Sequence, residues 1–413
     1  MGYDIHKNAR PEVAESGGFS IVIGFVAASV FLMIFFSSFI NEIVIFLLTV
    51  LLAALIGFVD DRVKLKSVYK IILSIFSGTI IFIANFFDYV SISSPTIPVL
   101  DKTRMSIIYP FLVPILVAIF GNTVNMLEGY NGEGSGTCLI AVISILICAI
   151  IWDSAEGVIF AIPVIAVIIP FFLKNRYPAK VFPGDIGTLS MGAMIACIML
   201  FGSLEVATFC ALLIHILNSF YVIYSVKGFL ESDKIREGKD DIILLEDDTI
   251  KASDRKEAAL TLPRLILAKG PLSEPVLVTN FLVISVICGI FAVLSVLFTQ
   301  LTTGIIEVGT FFIILAFLMV PIGYFLKKFP RIRGIIVLMV ILLIAGIIFF
   351  ILVEFIIMPL PFADIRLGVI IIPVDLILSL IVGLIGLIGW YYITIRYFWL
   401  QINKMKQEEL KKN

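Results

Sequence analysis

Apolar runs of roughly 17–25 residues recur along the chain, separated by short polar stretches, and each is long enough to cross about 30 Å of hydrocarbon. The pattern predicts twelve spans, over residues 19–40, 43–59, 68–87, 107–124, 138–151, 157–173, 187–201, 204–226, 276–299, 305–326, 334–357 and 369–395. In lipid the backbone polar groups of each span must be satisfied within it, so the spans are expected to be helices. The apolar–polar alternation of a membrane barrel is absent. The expected fold class is all-α, a polytopic membrane helix bundle of about twelve transmembrane helices.

Composition agrees with this pattern. Of 413 residues, 60% are hydrophobic and 15% charged, with a mean hydropathy of +1.12, whereas soluble chains carry about 25% charged residues. The first apolar run, from Phe19, is too long for a signal-peptide core and is expected to be retained. His6 stands where a myristoylation signal would need Ser or Thr. The five cysteines (Cys138, Cys148, Cys197, Cys210 and Cys288) lie in or beside apolar runs with no metal-ligand spacing, and read as small buried hydrophobes.

Charge distribution orients the spans. With the N-terminus and the loop after residue 59 on one side, that side collects 27 of the 30 Lys and Arg residues, leaving Lys102, Arg104 and Arg366 opposite. The cation-rich side is expected to be cytoplasmic. The charged stretch 231–257 reads as a solvated loop on that side, with a lid over a surface site as the competing reading.

Four polar islands on this side are richer than simple connectors need: "DIHKNARPEVAESGG" (4–18), "DDRVKLKSVYK" (60–70), "GNTVNMLEGYNGEGSGT" (121–137) and "KNRYPAKVFPGDIGT" (174–188). Asp60, Asp61, Asn125 and Asp185 offer hard oxygen atoms suited to Mg²⁺ or Mn²⁺. Lysines and arginines beside them would neutralise a phosphate, and glycines allow backbone N–H groups close approach to an anion. The combination points to metal-assisted phosphate chemistry at a membrane surface. The adjacent aspartates would be tolerated if a divalent cation and cationic neighbours were their partners. With only His6 and His215 present, zinc and Ser-His-Asp chemistry are poorly supported. His215 and Asn218, mid-span, read as packing at a helix interface.

The islands resemble the polyprenyl-phosphate N-acetylhexosamine-1-phosphate transferases (glycosyltransferase family 4), and most of all the eukaryotic and archaeal UDP-GlcNAc:dolichyl-phosphate enzymes. The similarity runs over about residues 4–270. "DDRVKLKSVYK" resembles the Asp-Asp motif with its lysine, "NTVNMLEGYNG" the Asn-rich loop, and "NRYPAKVFPGDIGTLSMG" the loop that carries a metal-binding aspartate. The resemblance implies transfer of GlcNAc-1-phosphate from UDP-GlcNAc to a dolichyl phosphate, giving a GlcNAc-diphospho-lipid and UMP. It implies Asp60, Asp61 and Lys70 as catalytic residues and Asn125 and Asp185 as ligands of Mg²⁺, with Mn²⁺ as an alternative. It implies Gly129, Asn131, Phe182, Ile5, Glu15 and Arg264 at the nucleotide and diphosphate. The partners implied are a UDP-sugar, a polyprenyl phosphate and the bilayer, without nucleic acid; a homodimer is compatible. The family usually carries a span before the N-terminal loop on which this chain almost begins.

Two domains are expected: a catalytic core over 1–275 and C-terminal helices over 276–413, the first of these part of the core. A lipid phosphate has a second pKa near 6, so direct in-line attack needs little general-base help; a covalent aspartyl-phosphate route stays open. Other UDP-sugars serving cell-surface polymers, or a polytopic transporter or flippase, are the competing functions. The C-terminal "GLIGLIG" (383–389) suits close helix packing. Glu354 and Asp375 read either as functional intramembrane groups or as partners of Arg366.

Overall fold

The computed structural model describes residues 2–97, 101–102, 109–226, 240–357, 365–367, 370–372 and 374–410. Residues 231–239 of the charged loop, and the side chains of Glu354, Arg366 and Asp375, lie outside the described residues.

The apolar runs are helices: α1 Gly18–Phe35, α2 Ile40–Val63, α3 Ser67–Phe86, α4 Tyr109–Leu127, α5 Glu133–Trp152, α6 Ala155–Asn175, α7 Gly184–Gly202, α8 Glu205–Ala211 and α9 Leu213–Val226. The later helices are Leu262–Leu267, Glu274–Thr302, Val308–Lys328, Arg333–Leu352 and Val374–Leu410. Among the described residues, ten helices are long and apolar enough to cross a bilayer, and the α8–α9 pair raises this to eleven. The apolar helix Arg333–Leu352, 20 residues long, lies outside that count. The single span predicted at 204–226 is in fact broken, with α8 and α9 meeting at 68°. The break falls at Leu212, whose φ of −95° and ψ of 13° leave the helical region.

The chain divides into two units, one of residues 1–95 and 104–297, the other of 96–103 and 298–413. In the first, α7 is the central helix: 89% of it is buried, and α1, α2, α4 and α6 pack around it. Small residues let it sit so deep. A methyl group on Gly57 of α2 would lie 2.4 Å from the carbonyl oxygen of Asp185, and one on Gly192 of α7 would lie 2.5 Å from Cα of Gly121 in α4. Both crossings are therefore backbone against backbone, which only glycine permits. Outward faces carry apolar side chains such as Ile34, Phe35 and Phe86, exposed as lipid-facing residues are.

Polar segments close one end of this unit. Gly2–Tyr3 pairs antiparallel with Glu12–Val13, and the N-terminal loop then joins the loop before α7. The Phe182 N–H donates to the Ala14 carbonyl (2.7 Å) and the Gly17 N–H to the Phe182 carbonyl (3.0 Å). Strands Ile242–Leu244, Thr249–Ala252 and Leu272–Ser273 form a small antiparallel sheet in that order. Asn8 grips its hairpin turn: its side-chain amide donates to the carbonyls of Leu245 (2.9 Å) and Glu246 (3.2 Å) and to Asp248 (2.8 Å).

In the second unit, Val374–Leu410 returns along Arg333–Leu352. The Trp390 indole N–H donates to the Leu338 carbonyl at 3.0 Å, and Gly334 leaves room for Tyr397, whose hydroxyl a Cβ there would strike. Of the 383–389 stripe only Gly383 packs closely, against the Phe349 ring; nothing lies within 4 Å of a Cβ at Gly386 or Gly389. The close packing expected of the whole stripe is not seen among the described residues.

Candidate active site

Four helix ends converge where the polar islands meet. α2 stops at Val63, since Lys64 takes a left-handed conformation (φ 51°); α3 starts four residues later. Asp60, in the last turn of α2, accepts the Leu65 N–H through Oδ1 at 2.7 Å, which fixes the reversal between the two helices. Its Oδ2 lies 2.6 Å from Nζ of Lys70, one turn into α3. The same ammonium is 2.9 Å from Asp185 Oδ2, at the start of α7, and donates to Asn125 Oδ1, near the end of α4, at 3.0 Å. Asn125 is held in turn, its amide donating to Asp185 and, at 2.8 Å, to Thr188 Oγ1. Asp60, Lys70, Asn125 and Asp185 are thus one cluster.

Asp61 takes another direction. Its Oδ1 accepts the Asp185 N–H at 2.9 Å and its Oδ2 the Ile186 N–H at 3.3 Å. The first N–H groups of a helix have no partner within it and carry partial positive charge, so Asp61 caps α7 from across the site. Of the cations beside the aspartate pair, Lys70 joins the cluster, and Arg62 lies over the Phe58 ring, 5.5 Å from its centre. A helix N-terminus, which the sequence reading did not consider, is the second partner of the aspartate pair.

The residues that the resemblance implied at the nucleotide scatter around a second centre. The Asn131 backbone N–H donates to Glu274 Oε1 (2.8 Å), while its side-chain amide nitrogen donates to Asp4 Oδ2 (2.9 Å) and Glu274 Oε2 (3.4 Å). Asp4 also pairs with Lys7. Burial opposes ionisation of Asp4, but the bonds from Lys7 and Asn131 outweigh it and hold its carboxyl below the ordinary range. His6 stacks on Tyr130 with ring centres 4.4 Å apart. Glu133 Oε2 accepts the N–H groups of Gly129 (3.1 Å) and Tyr130 (3.2 Å), shaping the loop. Gly129 is exposed, as is Ile5 at 49%. Phe182 is fixed through its backbone to Ala14 and Gly17, and the carbonyl oxygen of Glu15 would lie 3.0 Å from a Cβ on Gly184.

Arg264 bonds to a set of backbone carbonyls. It is fully buried and donates to the carbonyls of Ser253, Arg255, Ala258 and Ala259 at 2.6–3.1 Å. Its guanidinium braces the loop before Leu262–Leu267, where the resemblance had implied diphosphate contact. His215 and Asn218 do sit at helix interfaces, with separate partners: His215 Nε2 lies 3.0 Å from Thr137 Oγ1, and Asn218 bridges the Met126 carbonyl (3.0 Å) and the Leu262 N–H (2.9 Å). Sequence reasoning missed Asp4, Glu133 and Glu274. Only a carboxylate opening a span, as Glu274 does, could have signalled its role.

The fold and this cluster define a multi-pass membrane protein with an acidic, oxygen-rich site where several helix ends meet. Residues 43–203 match the model of glycosyl transferase family 4. The chain is 31% identical over 294 residues to a protein of Methanocaldococcus jannaschii provisionally named a glycosyltransferase, covering 71% of this chain and 87% of that one. A Sulfolobus acidocaldarius protein, provisionally named UDP-N-acetylglucosamine–dolichyl-phosphate N-acetylglucosaminephosphotransferase, is 30% identical over 74% of this chain and 89% of its own length. The phospho-N-acetylmuramoyl-pentapeptide-transferase of Bacillus licheniformis is 28% identical over 53% and 70% respectively. The chain belongs to glycosyl transferase family 4, and is a transferase.

Proposed function

We propose that the protein transfers N-acetylglucosamine-1-phosphate from UDP-N-acetylglucosamine to dolichyl phosphate, releasing UMP, with its active site on the cytoplasmic face and a divalent cation as cofactor. The observation that carries this reading is Lys70 Nζ lying within 3.0 Å of Asp60, Asp185 and Asn125. The names of the archaeal relatives supply the substrates, and the 27-to-3 division of cationic residues supports the orientation.

The donor set fits Mg²⁺. Two carboxylates, Asp60 and Asp185, contact the Lys70 ammonium, and a third, Asp61, lies against the start of α7, so the ionised group has charge to spare for a divalent cation. Its atoms are hard oxygens, and a cation, Lys70, already sits among them. Asn125 and Asp185 would be the ligands; a bound Mg²⁺ would neutralise charge on the diphosphate. Lys70 binds diphosphate oxygens and stabilises the charge that develops there. Asp60 holds Lys70 in place, and Asp61 fixes the start of α7 and with it Asp185. An oxygen of the lipid phosphate attacks the β-phosphorus; the new P–O bond forms as the bond to the bridging oxygen breaks, and UMP leaves with that oxygen. The attacking phosphate is already largely dianionic, so the residues supply alignment and charge rather than a strong base. Gly129, Asn131, Phe182, Ile5 and Glu15 form the nucleotide side.

The test is UMP release by the purified chain from UDP-GlcNAc and a short polyprenyl phosphate, with and without Mg²⁺. Release that needs both lipid and metal supports the proposal. Release with another UDP-sugar alone would move the donor, and silence with every UDP-sugar would overturn the reading.

A further inference from the structure

A helix needs about 20 residues to cross the roughly 30 Å of hydrocarbon in a bilayer. Val374–Leu410 has 37 residues, about 55 Å of helix at 1.5 Å per residue, so a large part of it must lie outside the apolar layer. The sequence shows which part. Apolar residues dominate up to Ile395, Tyr391, Tyr392, Tyr397 and Trp399 mark the water interface, and residues 400–410 are mostly polar. This extension stays helical and carries an apolar seam of Phe398, Ile402 and Met405, spaced four and three residues apart and all buried. Arg396 and Lys404 fall outside the seam, and both are exposed.

The neighbouring helix ends are basic too. Residues 327–333 hold four cations and no carboxylate. Arg333 donates to the carbonyls of Leu326 and Lys327 at 2.5 and 3.3 Å, which joins the end of Val308–Lys328 to the start of Arg333–Leu352. Tyr397 packs on Gly334, which brings the helix that carries Arg396 alongside Arg333. Part of this charge is used within the unit: the Lys328 ammonium lies 5.5 Å and 5.9 Å from the ring centres of Tyr324 and Phe329. Lys327, Arg396 and Lys404 are exposed, and among the described residues none of the three has an ion-pair partner.

We propose that this end of the second unit docks on the anionic headgroups of the bilayer, holding acidic phospholipid against Lys327, Arg396 and Lys404. Cations beside a membrane attract acidic lipid over about a Debye length, and three helix ends concentrate them here. Orienting the spans asks only for cations in short loops, which residues 327–333 supply by themselves. It does not ask for a seam-packed helical extension that carries Lys404 two turns beyond Arg396. Apolar contact cannot tell one phospholipid from another with the same chains, so any preference among headgroups must come from charge.

The experiment is equilibrium binding of short-chain phosphatidylglycerol, short-chain phosphatidylcholine and inorganic phosphate to the full chain in a nonionic detergent. The wild type is expected to favour phosphatidylglycerol over phosphatidylcholine by at least about tenfold, with the preference shrinking as salt is raised. The triple variant Lys327→Gln, Arg396→Gln and Lys404→Gln, at wild-type Tm, should bring that preference within about threefold. Should the triple variant fail to fold, Lys404→Gln alone is expected to lower the preference by about threefold. Equal binding of the two lipids by the wild type, or an undiminished preference in a folded variant, overturns the proposal. Inorganic phosphate bound as tightly as phosphatidylglycerol also overturns it, because the surface would then read a free anion rather than a lipid.

Discussion

Asp61 accepts the backbone N–H groups of Asp185 and Ile186, at 2.9 and 3.3 Å, across the interface between α2 and α7. Asp60, its neighbour, turns about 100° further round the helix and meets Lys70 at 2.6 Å. One step along the chain thus separates a carboxylate in the Lys70 cluster from a carboxylate that anchors a helix. The two carboxylates accept from different donors, Asp60 from an ammonium and Asp61 from a helix N-terminus.

That division predicts different phenotypes for the two aspartates. Asp61→Ala should lower the stability of the folded chain by about 1–2 kcal/mol, as losing a helix cap does, and Asp61→Asn, which keeps one acceptor, by less. Thermal unfolding in detergent measures both. A loss of activity in Asp61→Asn beyond about a hundredfold at unchanged Tm would instead assign the charge of Asp61 to the reaction itself.

Lys70→Met should abolish UMP release to within about 1% of wild type, the scale of removing one electrostatic group from a reaction centre. It also leaves Asp60 and Asp185 without their common partner, and breaking so enclosed a pair costs about 3 kcal/mol. The expected result is an inactive protein with a lowered Tm. An active Lys70→Met enzyme would remove Lys70 from the mechanism.

Gly57→Ala tests the crossing of α2 and α7. The added methyl would meet the Asp185 carbonyl oxygen at 2.4 Å, so the helices must part, at a cost of about 1–3 kcal/mol. Because Asp185 sits at that contact, the expected outcome is a lower Tm together with a raised Mg²⁺ requirement for UMP release. A variant with wild-type metal dependence would show that the crossing does not govern the ligand.

Burial pushes the Glu128 carboxyl up to about 8 from its ordinary 4.5, although the Gly134 N–H works in the other direction. Between those values the folded chain holds a proton that the unfolded chain has released. The contribution to stability is therefore full below about pH 4.5, declines as the pH rises, and is gone above about 8. Glu128→Gln, which cannot ionise, should flatten that decline, so that the Tm difference between pH 5 and pH 8.5 is smaller than in the wild type. Equal differences would refute the assignment.

The helices were legible because apolar runs of bilayer length admit one backbone solution, and the cluster residues stood out because polar islands are conspicuous in so apolar a chain. Contacts set by tertiary register were not legible. Asp61 reads as one more carboxylate until α7 is laid beside α2. Glu274 looks like the edge of a span until its helix brings it to Asn131, 143 residues away in sequence. The resemblance implied Arg264 at the diphosphate, yet the loop it braces offers four carbonyls that need donors, and a buried guanidinium has donors to give. The bend at Leu212 carries no Pro or Gly, so the pattern of apolar residues runs through it unbroken.

The bonds of the N-terminal loop also impose an order on biosynthesis. Asn8 closes on a hairpin 237–240 residues downstream, and Asp4 shares Asn131 with Glu274. Chains emerge from the ribosome N-terminus first. Asp4 and Asn8 must therefore wait, exposed, until the segments that bond them have been made. The polar end they close is among the last parts of the first unit to form.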